Sequence, residues 1–171
     1  LGKHKPNEDA FSIGLNTLED EKPFKCSLEP LPKNKKWRAI KTNLLIDIGC
    51  ELMITEWGDK FVFLPVMIGK ELRGWIRSRI HKSEDKDLPS HLNKKGPWSK
   101  KYGLFPFDYS IDMMNALGVK TVVLVEGPRD ALRLISMGIP AIAILGTNSW
   151  TERKAQLLEI YGVHRVVLMM D

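Results

Sequence analysis

The chain has 171 residues, 43% of them apolar, with 26 Lys and Arg against 21 Asp and Glu. This suits one domain or two small ones around a real core and argues against a disordered tail. No run of about 18 apolar residues is present, so a membrane-spanning helix is excluded.

The charged start, Leu1 to Pro6, is not followed by an apolar run and does not read as a signal peptide; without an initial Met it reads as part of a longer chain. Residues 1–32 hold four Lys and six acids, with Pro6, Pro23, Pro30 and Pro32 and little periodicity. They read as a linker or an arm laid on the surface. Cys26 and Cys50 lack CxxC neighbours, which points to reduced thiols in a cytoplasmic protein and away from a disulfide framework. Residues 33–41 carry five basic groups and no acid. From Thr42, a candidate cap, Leu44, Leu45, Ile48 and Leu52 make a helical stripe.

Strands are expected at Glu51–Glu56, Lys60–Ile68 and Leu72–Ile80, with turns at Gly58-Asp59 and Gly69-Lys70. Arg73, Arg77 and Arg79 are expected to point the same way from the third of these, with Trp75 on the opposite face, in the core. Residues 70–101 hold ten basic groups against four acids, and 81–101 read as a long basic loop. His81 and His91 on that loop are not expected to bind zinc. A helix is expected over about 109–117, ending at Gly118.

The last third alternates regularly. Lys120–Val125 is a buried strand, Pro128 opens a helix that Gly138 closes, and Ile139–Leu145 is a second strand. Ser149 to Glu152 has the spacing of a capping box for a helix to about Tyr161, and His164–Met170 is a third strand. Strand, helix, strand, helix, strand with short loops means a parallel sheet wound by helices. The fold class is therefore α/β: a basic α+β unit over 34–115 and a parallel-sheet unit over 116–171, stopping at its third strand, after a leader at 1–33.

Ligands of such sheets collect outside the carboxyl ends of the strands. Glu126 follows one strand directly, Asp171 follows another, and Asp130 lies one helical turn after Glu126. Three carboxylates gathered in one crevice call for a cation, and oxygen ligands suit Mg²⁺ or Mn²⁺. Asp130 serves equally well as a local partner of the helix dipole.

VVLVEGPRDALRL (122–134), AILGT (143–147) and VVLMMD (166–171) resemble a TOPRIM domain, whose pattern is a Glu after one strand and D-x-D after a later one. Glu126 matches that Glu and Asp171 the first Asp; the second Asp is expected one residue beyond. Upstream, GKELRGWIR (69–77) and LNKKGPWSKKYGL (92–104) resemble the RNA-polymerase domain of DnaG-type primases and phage helicase-primases. Ser90-His91 stands where the bacterial pattern often has Lys-Tyr, and the phage type fits better.

The resemblance implies metal-dependent, template-directed synthesis of RNA primers. Glu126, Asp130 and Asp171 would be the catalytic and metal-holding residues. Arg73, Arg77, Arg79, Lys94, Lys95, Lys100 and Lys101, with Trp98 as a stacking platform, would hold single-stranded DNA template and nucleoside triphosphates. It also implies a replicative helicase as partner, covalently linked or separate, and no membrane. Two alternatives stay open: another TOPRIM enzyme, a nuclease or topoisomerase-like protein, and a non-catalytic module that binds single-stranded nucleic acid. If the sheet stops at Asp171, Val167 and Met169 lack cover, so either the chain continues or another chain packs there.

Overall fold

The computed structural model describes residues 26–81, 91–93 and 101–170. Two sheets organise them. The first is antiparallel, in the order β1-β4-β5-β6-β7: β1 is Cys26–Glu29, β4 Glu51–Thr55, β5 Lys60–Ile68, β6 Glu71–Arg79 and β7 His91–Asn93. A small hairpin, β2 (Lys36–Trp37) and β3 (Ile40–Lys41), leads into helix α1 (Thr42–Ile48).

The apolar run FVFLPVMI makes β5 central, because it buries side chains on both faces. One face carries Val62, Leu64 and Val66 with Ile76 of β6, packed with Leu45 and Ile48 of α1 and with Trp37 and Ile40. The other carries Phe61 and Phe63 with Met53 and Trp75. The β5–β6 turn is Gly69-Lys70, with φ of 62° and 67°, a two-residue connection that matches the twist of the strands. A methyl group on Gly69 would meet the Tyr161 hydroxyl at 2.6 Å, so this position needs glycine for space as well as for its backbone.

The second sheet is parallel, in the order β10-β8-β9, with β8 at Thr121–Val125, β9 at Ala141–Ala143 and β10 at Arg165–Met169. Helix α2 (Phe107–Ala116) precedes it, α3 (Pro128–Ser136) joins β8 to β9, and α4 (Glu152–Ile160) joins β9 to β10. Pro128 sits in the first turn of α3, where its missing N–H costs nothing, and Ala131, Leu132 and Ile135 form the buried stripe. The strand-helix alternation read from the sequence is present, and the architecture is mixed α/β with a TOPRIM-like parallel sheet.

The two sheets share their packing. Leu132 of α3 and Phe105 belong to the same core cluster as Leu45 and Leu64. The Phe105 and Ala143 backbones exchange hydrogen bonds of 3.0 and 2.6 Å. Asp108, in the first turn of α2, accepts the backbone N–H groups of Gly69 and Lys70 at 2.8 and 2.7 Å.

Several expectations need correction. Cys26–Glu29, assigned to a surface arm, is a strand whose N–H and C=O groups pair with β4. Leu52 is not part of the helical stripe: Gly49, at φ 92°, ends α1, and Leu52 lies in β4. Thr42 does not cap α1; its hydroxyl donates to the Pro32 carbonyl at 2.7 Å, tying the helix to the segment before the hairpin. Within the expected loop 81–101, residues 91–93 extend the sheet along β6. Ser149 does not form a capping box: Thr151 stands at the N-cap of α4, and the Ser149 hydroxyl contacts the Ile144 and Gly146 carbonyls at 2.6 Å.

No helix of the described residues is long and apolar enough to cross a membrane. Cys26 and Cys50 are both free thiols. Burial, with Glu51 beside it, pushes the Cys50 thiol far up and leaves it unreactive.

Candidate functional site

Glu126 stands immediately after β8, at the carboxyl end of the middle strand of the parallel sheet. Its carbonyl accepts the Leu145 N–H at 3.2 Å, which fixes its backbone to the end of β9. Gly127 follows as the N-cap of α3, and a methyl group there would lie 3.1 Å from Asp130 Oδ2. The missing side chain lets the Asp130 carboxylate lie back over the strand-to-helix turn. Glu126 and Asp130 both line one crevice of about 400 Å³, with Arg133 and Leu134 of α3 and Met137 just after it on one side and Met169 and Met170 on the other. Arg133 Nη1 lies 3.8 Å from Asp130 Oδ1.

Asp171 falls outside the described residues; Met169 and Met170, which precede it, reach the crevice. Among the described residues no group of three potential metal ligands comes together. Two carboxylates on one crevice nonetheless fit Mg²⁺ or Mn²⁺ in donor chemistry, since Mg²⁺ is held by one or two carboxylates and keeps several waters.

The basic strand differs from the expectation in two respects. Opposite β6, the register shifts between Val66 and Met67, so Val66 pairs with Gly74 and Met67 with Leu72, leaving Arg73 as the extra residue of a bulge. Arg73 therefore leaves the alternation; it pairs with Glu71 and lies over the Tyr102 ring, 5.2 Å from its centroid. Trp75 shares a face with Arg77 and Arg79, because residues two apart on a strand project to the same side. Trp75 is core all the same: it is 7% exposed and packs beside Phe63 with ring centroids 5.9 Å apart.

Arg77 and Arg79 both lie over the Phe61 ring, at 5.0 and 5.7 Å from its centroid. Burial and the neighbouring Arg79 lower the pKa of Arg77, with Asp59 acting the other way. Lys101 is exposed, whereas Lys94, Lys95, Trp98 and Lys100 fall outside the described residues.

A second group of basic side chains has no counterpart in the sequence reading. Arg38 at the tip of the β2–β3 hairpin, His91 at the start of β7 and Arg129 in the first turn of α3 come close enough to influence one another's charge. The sequence signal for Arg129 is its place inside E-G-P-R-D, a cation between two acids.

Residues 123–171 match the Toprim-like family. No curated protein matches the sequence. Among solved structures, the fold is similar to the primase fragment of the bacteriophage T7 primase-helicase protein, with a TM-score of 0.55 and 16% identity over 91% of this chain and 63% of that one. It is similar to the RNA polymerase domain of Mycobacterium tuberculosis primase DnaG, with a TM-score of 0.53 and 16% identity over 85% of this chain and 52% of that one. The Aquifex aeolicus primase, a structure of its zinc-binding and RNA polymerase domains, gives a TM-score of 0.52 and 25% identity over 65% of this chain and 27% of that one. The chain thus spans less than two thirds of each of these structures. With its Toprim-like segment and this fold, the chain resembles the RNA-polymerase domain of DnaG-type and phage primases.

Proposed function

We propose that the chain is the catalytic portion of a DNA primase, which synthesises short RNA primers on single-stranded DNA by metal-dependent nucleotidyl transfer. The observation that carries this reading is the acid-lined crevice at the carboxyl end of β8, in a fold that also presents a basic antiparallel sheet. The T7 similarity makes a helicase, linked or separate, the partner of choice.

In this reading Glu126 and Asp130 hold the ion, and Asp171 adds a third carboxylate. The bound ion supplies charge neutralisation at the phosphoryl group under attack. Arg133, 3.8 Å from Asp130, brings positive charge to the crevice rim. Arg77 and Arg79, placed over the Phe61 ring, present cations to a polyanionic strand. In the same reading Lys94, Lys95, Lys100 and Lys101 bind the strand and the triphosphates, Trp98 stacks a base, and Arg73 supports the bulged end of β6.

The test is incubation of the full-length protein with single-stranded DNA, labelled nucleoside triphosphates and Mn²⁺. Primers from the wild type and none from a folded Glu126→Gln variant are expected. Cleaved DNA would identify a TOPRIM nuclease instead, and binding without product a non-catalytic module. Primer synthesis at the wild-type rate by Glu126→Gln would remove Glu126 from the chemistry.

A further inference from the structure

The loop that leaves β9 lies beside Glu126 at the carboxyl end of the parallel sheet, and its backbone is unusual. The Ile144 and Leu145 N–H groups donate to the Val125 and Glu126 carbonyls at 2.9 and 3.2 Å. Leu145 does so at φ 60°, a left-handed conformation that a residue with a side chain rarely adopts. Gly146 follows at φ 114°, and Thr147–Ser149 then form a short 3₁₀ turn before α4. A non-glycine residue in the left-handed region persists only where its surroundings enforce it, and such residues cluster at functional sites.

A side chain from the first turn of α4 does the enforcing. Lys154 is fully buried, and its ammonium donates to the Ile144 carbonyl at 3.0 Å and to the Ser149 hydroxyl at 3.1 Å. The Ser149 oxygen lies 2.6 Å from both the Ile144 and the Gly146 carbonyls, so its one proton goes to one of them while it accepts from Lys154. These two carbonyls belong to the residues on either side of Leu145. Among the described residues no carboxylate pairs with Lys154. A buried cation held by neutral oxygens is costly, and methionine would fill the same space without that cost. Packing alone therefore does not account for a lysine at this position.

We infer that Lys154 is a positioning residue for Glu126. Through the Ile144 carbonyl and the Ser149 hydroxyl its ammonium holds the Leu145 turn, and the Leu145 N–H in turn holds the Glu126 carbonyl where β8 gives way to the crevice. Lys154 lies outside the crevice lining and acts on the carboxylate through the backbone. Releasing the turn frees the Glu126 backbone, which costs metal affinity and turnover and leaves nucleotide affinity, supplied by other residues, unchanged. The inference rests on Glu126 holding a metal ion in the crevice; it does not depend on the reaction being primer synthesis.

The test compares the full-length wild type with Lys154→Met and Ser149→Ala. Three quantities are read: exchange of the Leu145 amide proton by NMR, Mn²⁺ affinity by water-proton relaxation, and kcat with KM for nucleoside triphosphate in primer synthesis. In Lys154→Met the Leu145 amide should exchange faster, and Mn²⁺ affinity and kcat should each fall roughly tenfold with KM nearly unchanged, as the loss of one charged hydrogen bond implies. Ser149→Ala should move the same quantities in the same direction. A lysine with a merely structural role would change the unfolding midpoint and leave Mn²⁺ affinity and kcat alone. A folded Lys154→Met with wild-type Mn²⁺ affinity and kcat would therefore overturn the inference, whatever its Leu145 exchange. If Lys154→Met does not fold, Ser149→Ala, which removes one hydroxyl, decides by the same criteria. Should the wild type make no primer while both Glu126→Gln and Lys154→Met weaken its Mn²⁺ binding, the primase reading falls and the positioning role stands. Primer synthesis abolished in Glu126→Gln and untouched in folded Lys154→Met sinks the positioning role alone.

Discussion

Lys154 is fully buried and donates to the Ile144 carbonyl at 3.0 Å and to the Ser149 hydroxyl at 3.1 Å. It thereby fastens the turn that leaves β9, two residues from the Gly146-Thr147 step. Burial pushes its ammonium down to about 8. An unfolded lysine titrates near ~10.4, so between these values the unfolded chain binds the extra proton. The contribution of Lys154 to stability should therefore rise from pH about 8 to about 10.4. Urea unfolding across that window should show the rise in the wild type, and Lys154→Met should flatten it. Gly69 gives a second residue-scale expectation. Alanine there must accept φ of 62° and displace the Tyr161 hydroxyl, whose ring is fixed edge-on to Phe107 at a centroid distance of 5.0 Å. A loss of about 1–3 kcal/mol in denaturant unfolding follows from the overpacking and the backbone cost together.

At the scale of the element, β6 combines a core residue with a cationic surface. Trp75 completes the cluster with Met53, Phe61 and Phe63, and Trp75→Ala should cost about 3–5 kcal/mol in thermal or urea unfolding, the usual cost of an aromatic cavity. Arg77 and Arg79 are the part of the strand that reads as strand-binding surface. Replacing both with Gln should weaken single-stranded DNA binding and reduce the slope of log K against log salt by about 1.4, roughly 0.7 for each lost phosphate contact. A slope equal to the wild type's would make them structural partners of Phe61. Strand β6 also shows why alternation was an incomplete guide: the bulge that expels Arg73 depends on what β5 presents opposite, and the strand's own residues do not reveal it.

At the scale of the molecule, the two sheets are fused through Phe105, Leu132 and the Asp108 contacts, so the acidic crevice and the basic sheet are held in one framework. Strand β10 is the least covered part of it. It pairs with β8 on one side, and Val166, Val167, Leu168 and Met169 are 43%, 44%, 65% and 54% exposed. An apolar edge strand is a template for pairing with another chain. The 171-residue chain should therefore associate with rising concentration in sedimentation experiments, and Val167→Lys with Leu168→Lys should suppress that association. Concentration-independent monomers of the wild type would contradict it.

The sequence by itself determined the strands that are buried on both faces and the helices between them. Lys60–Ile68 and Lys120–Val125 are apolar runs with punctuated ends, and such runs have few other uses. It also placed Glu126 and Asp130, because a strand end and a helix start one turn apart are local features that short-range chemistry specifies. The tertiary structure alone decided what depends on pairing between distant segments. Strand β1 exists because β4 offers its edge, and β7 because β6 offers the other. Trp75 is buried on the arginine face because Phe61 and Phe63 cover it. Arg38, His91 and Arg129 come within reach of one another's charge because of how a hairpin turn, an edge strand and a helix start pack. Hydrophobic period is written along the chain within a few residues, whereas the convergence of polar groups depends on how whole elements pack and leaves no local pattern to read.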